Sequence, residues 1–176
     1  MKELDIFTDG SGNDTHYGIS FVIFDQEDEK PFSCSTTIDQ LKKEFVCNTT
    51  PFKSKDCSSI GECYAIYKSL LLIQGQNIKA RIYTDSEHLF LLLNNQCFVK
   101  RKKNELLYKM VRRTRRINNK INAEVLWIKG HAGVYGNEIA DKLAKKGRKE
   151  DFRRITKKVK ERYLLEGISE GLNKGI

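Results

Sequence analysis

The sequence of 176 residues lacks an apolar run long enough to cross a membrane, and it lacks a basic-then-apolar leader at its start. It has no Cys-x-x-Cys pair, no internal repeat, and an odd number of cysteines, five in all. These absences argue against a membrane protein, a disulfide framework and a structural zinc site. No exposed apolar stripe is evident either. We therefore expect a reduced, cytoplasmic protein that is a monomer and contacts no membrane.

Acidic residues are scarce where basic residues are dense. The whole chain carries 32 Lys and Arg against 23 Asp and Glu, a formal net charge of +9. Between Phe98 and Lys120, ten basic residues stand against a single acid, Glu105. The excess is therefore a local patch, which favours a polyanionic partner such as nucleic acid. The alternative is a charged helix face that is only solvated.

Hydrophobic periodicity predicts the order of strands and helices. The first 40 residues contain three alternating runs with short polar connections, which are typical of an antiparallel meander. Residues 40–58 show no sustained period and predict a loop or a short helix. Helices are then predicted from about 59 and over about 104–119, with strands at 80–85 and 123–128. This pattern predicts an α/β fold in which helices cover a mixed sheet.

The chain length fits one domain with an appendage. The last predicted helix of the domain begins at Asn137, a residue type favoured at helix N-caps. We expect the domain to span residues 1–148, with residues 40–58 as an insertion. Residues 149–176 are basic and carry apolar residues at helical spacing, so they predict a C-terminal helical extension.

Three acids stand at comparable places in the predicted elements. Asp9 ends the first strand, Asp85 ends the strand at 80–85, and Glu62 lies in the first turn of the helix that begins near Ser59. Side chains at the carboxyl ends of parallel strands converge on one crevice, so Asp9 and Asp85 are predicted to meet if these two strands are parallel neighbours. Each acid also has a local alternative role: Asp9 in its own turn, Asp85 as a helix N-cap, and Glu62 in a capping box with Ser59.

Carboxylates gathered in one crevice repel each other and protonate unless a cation neutralises them. Mg²⁺ or Mn²⁺ is the natural counter-ion, because such hard cations bind carboxylates and keep positions open for phosphate and water. A fourth acid, Asp141, lies on the last helix and completes such a site. His131 lies in a glycine-containing loop, where it is either a proton carrier or a solvent-facing side chain.

The motifs FTDGS with Asp9, SSIGE with Glu62, IYTDS with Asp85 and WIKGHAGVYGNEIADKLA with His131 and Asp141 resemble type 1 ribonuclease H in residue type and order. The resemblance implies the ribonuclease H-like fold, with a five-stranded mixed sheet of three antiparallel strands and then parallel strands. It also implies an endonuclease that hydrolyses the RNA strand of RNA–DNA hybrids and leaves 5′-phosphate and 3′-hydroxyl ends. The four carboxylates would hold two Mg²⁺ ions, with Mn²⁺ as the alternative.

The resemblance also implies roles for individual residues. His131 would assist proton transfer and product release. Polar groups at loop ends would contact the hybrid, and the basic helix would add phosphate contacts. These substrate-binding candidates are Gly10, Ser11, Ser58, Ser59, Gly61, Glu87, Asn137, Arg112, Arg113 and Arg116.

Three other functions are weighed against the hybrid nuclease. One is a nucleic-acid-binding module of the same fold without activity, which the presence of all four carboxylates disfavours. The second is a transposase or integrase, which the loop around His131 disfavours. The third is a nuclease component of a mobile element, which the sequence leaves open.

Overall fold

The structure is a computed structural model that describes residues 2–25, 28–48 and 57–149. The predicted C-terminal extension lies outside the described residues from position 150 onward, as does the middle of the 40–58 segment. No helix of the described part is long and apolar enough to span a membrane.

Five strands form one mixed sheet with the order β3-β2-β1-β4-β5. β1 pairs antiparallel with β2, and β2 pairs antiparallel with β3. β4 pairs in parallel with β1 on one side and with β5 on the other. The predicted meander and the predicted parallel half are both confirmed. The strands are β1 (Lys2–Gly12), β2 (His16–Asp25), β3 (Asp28–Thr37), β4 (Ile78–Thr84) and β5 (Glu124–Trp127).

Five helices accompany the sheet within the described residues. The first of them occupies the start of the aperiodic segment, where Thr37 and Gln40 form a reciprocal capping box. The segment was predicted as a loop or a short helix, and its described beginning is a short helix. The helices are α1 (Ile38–Glu44), α2 (Cys57–Ile73), α3 (Glu87–Leu93), α4 (Glu105–Ile121) and α5 (Tyr135–Lys149).

Two helix starts differ from the sequence-based predictions. α5 begins at Tyr135, so Asn137 lies inside the helix and is not its N-cap. The amide of Asn137 instead donates to Asp85, a contact that local sequence does not reveal. α2 begins at Cys57, which places Glu62 beyond the first turn and excludes the capping box with Ser59.

The predicted N-cap role of Asp85 and the predicted strand end at Asp9 are also wrong. The N-cap position of α3 belongs to Ser86, so Asp85 does not cap that helix. Asp9 does not end β1, because the strand continues to Gly12 in its pairing with β2. Asp85 is thus free of the capping function, whereas the carboxylate of Asp9 accepts a hydrogen bond from the backbone N–H of Gly10.

The two faces of β1 are covered by different helices. Ile6 and Gly10 lie on the face that packs against α2, where Gly10 contacts Gly61. Phe7 lies on the other face and contacts Gly136 of α5. Asp9 shares the parity of Phe7, so it points to the α5 side of the sheet. A carboxylate at this position can therefore meet side chains from α5.

Two serine hydroxyls seat α5 on the antiparallel half of the sheet. Ser20 Oγ of β2 donates to the carbonyl oxygen of Ala140 at 2.5 Å. Ser33 Oγ of β3 donates to the carbonyl oxygen of Leu143 at 3.0 Å. These bonds bracket Asp141 in sequence, so they determine where its side chain leaves the helix.

Candidate active site

The register of the parallel pair places two aspartates side by side. Thr8 of β1 pairs with Thr84 of β4, and this is the last pair between the two strands. Asp9 and Asp85 are the next residues in sequence, so both lie where the pairing of β1 with β4 ends, at the carboxyl end of β4. The convergence predicted from the sequence therefore follows directly from strand register.

A close approach of two glycines brings Glu62 to the same edge. A Cβ built on Gly10 would lie only 2.1 Å from the carbonyl carbon of Gly61, so no larger residue fits there without a shift of backbone. Both glycines are buried. Because Glu62 follows Gly61, the contact holds the start of α2 against the strand that carries Asp9. Gly10 and Gly61 thus have a packing function, whatever their contacts with a substrate.

The carboxylates of Asp9, Glu62 and Asp85 form one cluster. One oxygen atom of each lies within 4.8 Å of the oxygens of the other two. Asp9 is 7% exposed, and the Oε2 atom of Glu62 is buried without a hydrogen-bond partner. A buried carboxylate oxygen that no protein donor reaches, beside two further carboxylates, is the environment that a hard divalent cation satisfies. The donor set therefore fits Mg²⁺ or Mn²⁺.

The electrostatics of the cluster agree with this fit. Burial, followed by the charges of Asp85 and Asp141, raises the pKa of Asp9 to about 6. Burial also raises the pKa of Glu62 to about 7, although a hydrogen bond from Ser86 partly lowers this pKa. The shifts mean that negative charge is unfavourable here without a counter-ion. A bound cation would reverse both shifts.

Asp141 lies beside the cluster and does not join it. Its charge raises the pKa of Asp9, which shows that the two side chains are close. Its Oδ2 atom, however, accepts a hydrogen bond from Lys145 Nζ at 2.6 Å. Lys145 is one helical turn further along α5, an arrangement visible in the sequence as an i, i+4 pair. The structure thus brings three of the four predicted carboxylates together and pairs the fourth with a lysine.

Asp85 is surrounded by groups from β5, the following loop and α5. Asn137 is buried, and its Nδ2 atom donates to Asp85 Oδ2 at 3.3 Å. The indole Nε1 of Trp127 donates to the carbonyl oxygen of Asp85 at 3.2 Å. The backbone of Gly130 comes so near that a Cβ there would lie 3.2 Å from Asp85 Oδ2. These contacts hold both the side chain and the peptide of Asp85.

The loop that contains Gly130 also carries the predicted histidine. His131 is exposed and has a positive φ of 53°, a conformation that is uncommon outside glycine. The loop therefore presents the imidazole to solvent, one residue after the backbone that contacts Asp85, and does not bury it. A side chain in this place is accessible to a substrate that binds at the cluster.

The remaining polar candidates lie around the same edge with different exposure. Ser58 is exposed, whereas Ser11 and Ser59 are half-buried. Glu87 is exposed in the first turn of α3. None of these positions contradicts contact with a substrate. Their binding role stays a prediction.

The three arginines predicted to bind phosphate are not equivalent. Arg112, Arg113 and Arg116 are all exposed on α4. Arg113, however, donates to the carbonyl oxygen of Glu44 at 3.1 Å, and its guanidinium lies 5.5 Å from the ring centre of Phe45. Arg113 therefore attaches the segment after α1 to α4.

Sequence reasoning missed three residues that contact the four acidic residues, Trp127 through the backbone carbonyl of Asp85 and the other two through carboxylates. These are Trp127, Ser86 and Lys145. Only Lys145 has a signal in the sequence, its spacing of four residues from Asp141. Trp127 and Ser86 contact the cluster through loop and strand-end geometry, which no local pattern encodes.

Comparison with known proteins identifies the family. The sequence model of the family described as RNase H matches residues 1–149. No curated protein sequence matches the chain significantly. The chain therefore belongs to the RNase H family.

Solved structures of low sequence identity share the fold. Ribonuclease H1 from the halophilic archaeon Halobacterium salinarum has a TM-score of 0.59 at 15% identity, covering 82% of this chain and 96% of that chain. The N-terminal ribonuclease H domain of a Mycobacterium tuberculosis protein has a TM-score of 0.56 at 13% identity, covering 84% and 96%. LC11-RNase H1 in complex with RNA/DNA hybrid has a TM-score of 0.52 at 18% identity, covering 81% and 97%.

Proposed function

We propose that this ribonuclease H is an endonuclease that hydrolyses the RNA strand of RNA–DNA hybrids with two divalent metal ions and leaves 5′-phosphate and 3′-hydroxyl ends. The observation that carries the proposal is the cluster of Asp9, Glu62 and Asp85 within 4.8 Å, at the strand edge of a family member. The LC11-RNase H1 relative, which shares the fold, binds an RNA/DNA hybrid.

The carboxylates would hold the ions, Mg²⁺ by preference and Mn²⁺ as the alternative. Asp9, Glu62 and Asp85 are the ligands that lie together, and Asp141 would join them by giving up its bond to Lys145. When bound, such cations neutralise charge on the scissile phosphate and lower the pKa of water. Asn137 would keep one oxygen of Asp85 occupied, so that the other oxygen of this carboxylate faces the ions.

Protons and the sugar would be handled by other groups of the same edge. His131 is exposed beside Asp85, so its imidazole would take a proton from or return one to a reacting oxygen and then help the product leave. Glu87 would lie near the substrate backbone and the scissile site. The minor groove would be contacted by the hydroxyls of Ser11, Ser58 and Ser59 and by the backbone near Gly10 and Gly61. Contacts with successive 2′-hydroxyls there would distinguish RNA from DNA.

A cleavage assay with matched duplexes tests the proposal. Purified wild-type protein is incubated with an end-labelled RNA–DNA hybrid, duplex RNA or duplex DNA, each with Mg²⁺, Mn²⁺ or a chelator. We expect cleavage of the RNA strand of the hybrid alone, in the presence of either metal, with 3′-hydroxyl ends. If the protein binds the hybrid in a salt-sensitive way but does not cleave it with either metal, it is a nucleic-acid-binding module and not a nuclease.

We expect the arginines of α4 to separate into a binding pair and a structural member. Arg112→Ala and Arg116→Ala should each weaken hybrid binding and reduce the slope of log K against log salt by about 0.7–0.9, because each removes one exposed cation. Arg113→Ala should instead lower the free energy of unfolding by about 1 kcal/mol, since it removes the bond to Glu44 and the ring contact.

Fluorescence anisotropy at several salt concentrations, together with urea unfolding, checks this division. Equal salt slopes for all three variants would contradict it, as would an unchanged stability of Arg113→Ala.

A further inference from the structure

The loop between α3 and α4, residues 94–104, presents an aromatic side chain to solvent among lysines. Phe98 is 78% exposed, the largest exposed fraction of any large apolar side chain of the described residues. Lys100, Lys102 and Lys103 follow it and are exposed as well. Arg101 differs from them because it pairs with Glu105 at 3.0 Å. A single exposed apolar side chain is common on protein surfaces, but here an aromatic ring stands among cations, the combination by which proteins bind unpaired nucleic-acid strands.

The loop is held in place at both of its ends. The backbone N–H of Gln96 donates to the carbonyl of Leu91 at 2.8 Å, and Arg115 Nη2 donates to the carbonyl of Cys97 at 3.3 Å. At the other end, Lys103 N–H donates to the carbonyl of Lys100 at 2.9 Å. Phe98 lies between these anchored stretches, and its ring is exposed to solvent.

The loop belongs to the same edge of the sheet as the carboxylates. α3 begins directly after Asp85 and Ser86, and Cys97 Sγ lies 3.9 Å from the carbonyl oxygen of His88 in the first turn of that helix. β5 is parallel to β4, so β5 begins at the opposite edge of the sheet. α4 ends just before β5 begins, so α4 starts at the edge where the carboxylates lie. A nucleic acid that binds at the cluster and extends on the α3 side would therefore approach Phe98.

We propose that the α3–α4 loop binds an unpaired strand that extends from the hybrid, with Phe98 stacking on a base and Lys100, Lys102 and Lys103 contacting its phosphates. In a duplex, bases are stacked on each other and offer no free face, whereas every unpaired base offers one to an aromatic ring. The combination of one exposed ring and three exposed ammonium groups suits that ligand without selecting a sequence. The inference rests on the proposed hybrid nuclease function. It adds a preference for hybrids that carry a single-stranded extension over blunt hybrids.

Binding to matched ligands tests the inference apart from catalysis. Anisotropy is measured on wild-type protein in a chelator with three ligands: a blunt hybrid, and hybrids with a 5′ or a 3′ single-stranded DNA overhang. We expect one overhang to tighten binding about tenfold, and Phe98→Ala to remove most of that gain while leaving blunt-hybrid binding within about twofold. Phe98→Trp should keep the gain, and Val46→Ala, which shortens another exposed apolar side chain, should not alter it.

Three results would overturn the inference. These are no gain from either overhang, a gain that Phe98→Ala retains, or an equal loss on blunt and overhang ligands, which would assign Phe98 to the duplex. The failure of the proposed function is a different result, the absence of RNA cleavage by wild-type protein in the presence of metal. Phe98 is exposed, so none of its variants should unfold the protein.

Discussion

Asp85→Asn should lower the rate of hybrid cleavage by at least about a thousandfold without loss of the fold. Cation binding supplies several kcal/mol of transition-state stabilisation in phosphodiester hydrolysis, and about 1.4 kcal/mol corresponds to a tenfold change in rate. Asp85 lies in the cluster with Asp9 and Glu62, so the substitution would remove one of the three proposed metal ligands that lie together. The amide of the substituted side chain has nearly the shape of the carboxylate, and its oxygen can still accept the hydrogen bond from Asn137 Nδ2.

Single-turnover cleavage with Mg²⁺ checks this expectation, with hybrid binding measured in parallel. The affinity for the hybrid should change by only a few-fold, because the substitution leaves the basic face of α4 intact. Glu124→Gln is the matched control, since it removes a carboxylate that is exposed at the start of β5. A residual activity of Asp85→Asn within about tenfold of wild type would show that this carboxylate does not hold a catalytic ion.

The second large effect is a gain of stability from the removal of a charge. Glu62 has a folded-state pKa of about 7 against an ordinary value of 4.5, chiefly because of burial. A carboxylate with a raised pKa favours the folded state while protonated, so its contribution is present below pH 4.5 and is lost as pH rises through 7. Without metal at pH 8, Glu62→Gln should therefore raise the free energy of unfolding by about 3 kcal/mol.

Urea unfolding in a chelator at pH 5 and pH 8 measures this difference. The gain should be small at pH 5, where wild-type Glu62 is already protonated in the folded protein. Mg²⁺ should stabilise the wild type at pH 8 more than it stabilises the variant, because the cation neutralises the same charge. A variant that is less stable than wild type at pH 8 would mean that a group of the protein already compensates Glu62.

The sequence predicts the antiparallel meander, the mixed sheet and, for parallel neighbouring strands, the meeting of the aspartates, for a physical reason. Alternating apolar residues reveal strands, and the ends of parallel strands share one edge, so Asp9 and Asp85 are predictable as neighbours. Glu62 was predictable through its helix, although the closeness to Asp9 depends on Gly10 meeting Gly61. That contact joins residues far apart in sequence, and no hydrophobic periodicity predicts it.

Helix starts and side-chain partners were harder to predict. Asn137 has the residue type of an N-cap, yet α5 begins two residues earlier and uses the amide to hold Asp85. Arg113 belongs to a basic stripe, yet tertiary contacts with Glu44 and Phe45 occupy it. In each case a long-range contact overrides the local preference on which a prediction from sequence depends.

Calorimetric titration of Mn²⁺ into wild type and Asp85→Asn at pH 7 tests the central claim most directly, the claim that the carboxylate cluster is a divalent-cation site. Repeating the titration in buffers of different ionisation enthalpy gives the number of protons released. Because the pKa values of Asp9 and Glu62 are about 6 and about 7, binding to wild type should release protons, and Asp85→Asn should bind at least about tenfold more weakly. Equal affinities for the two proteins, or binding without proton release, would contradict the account.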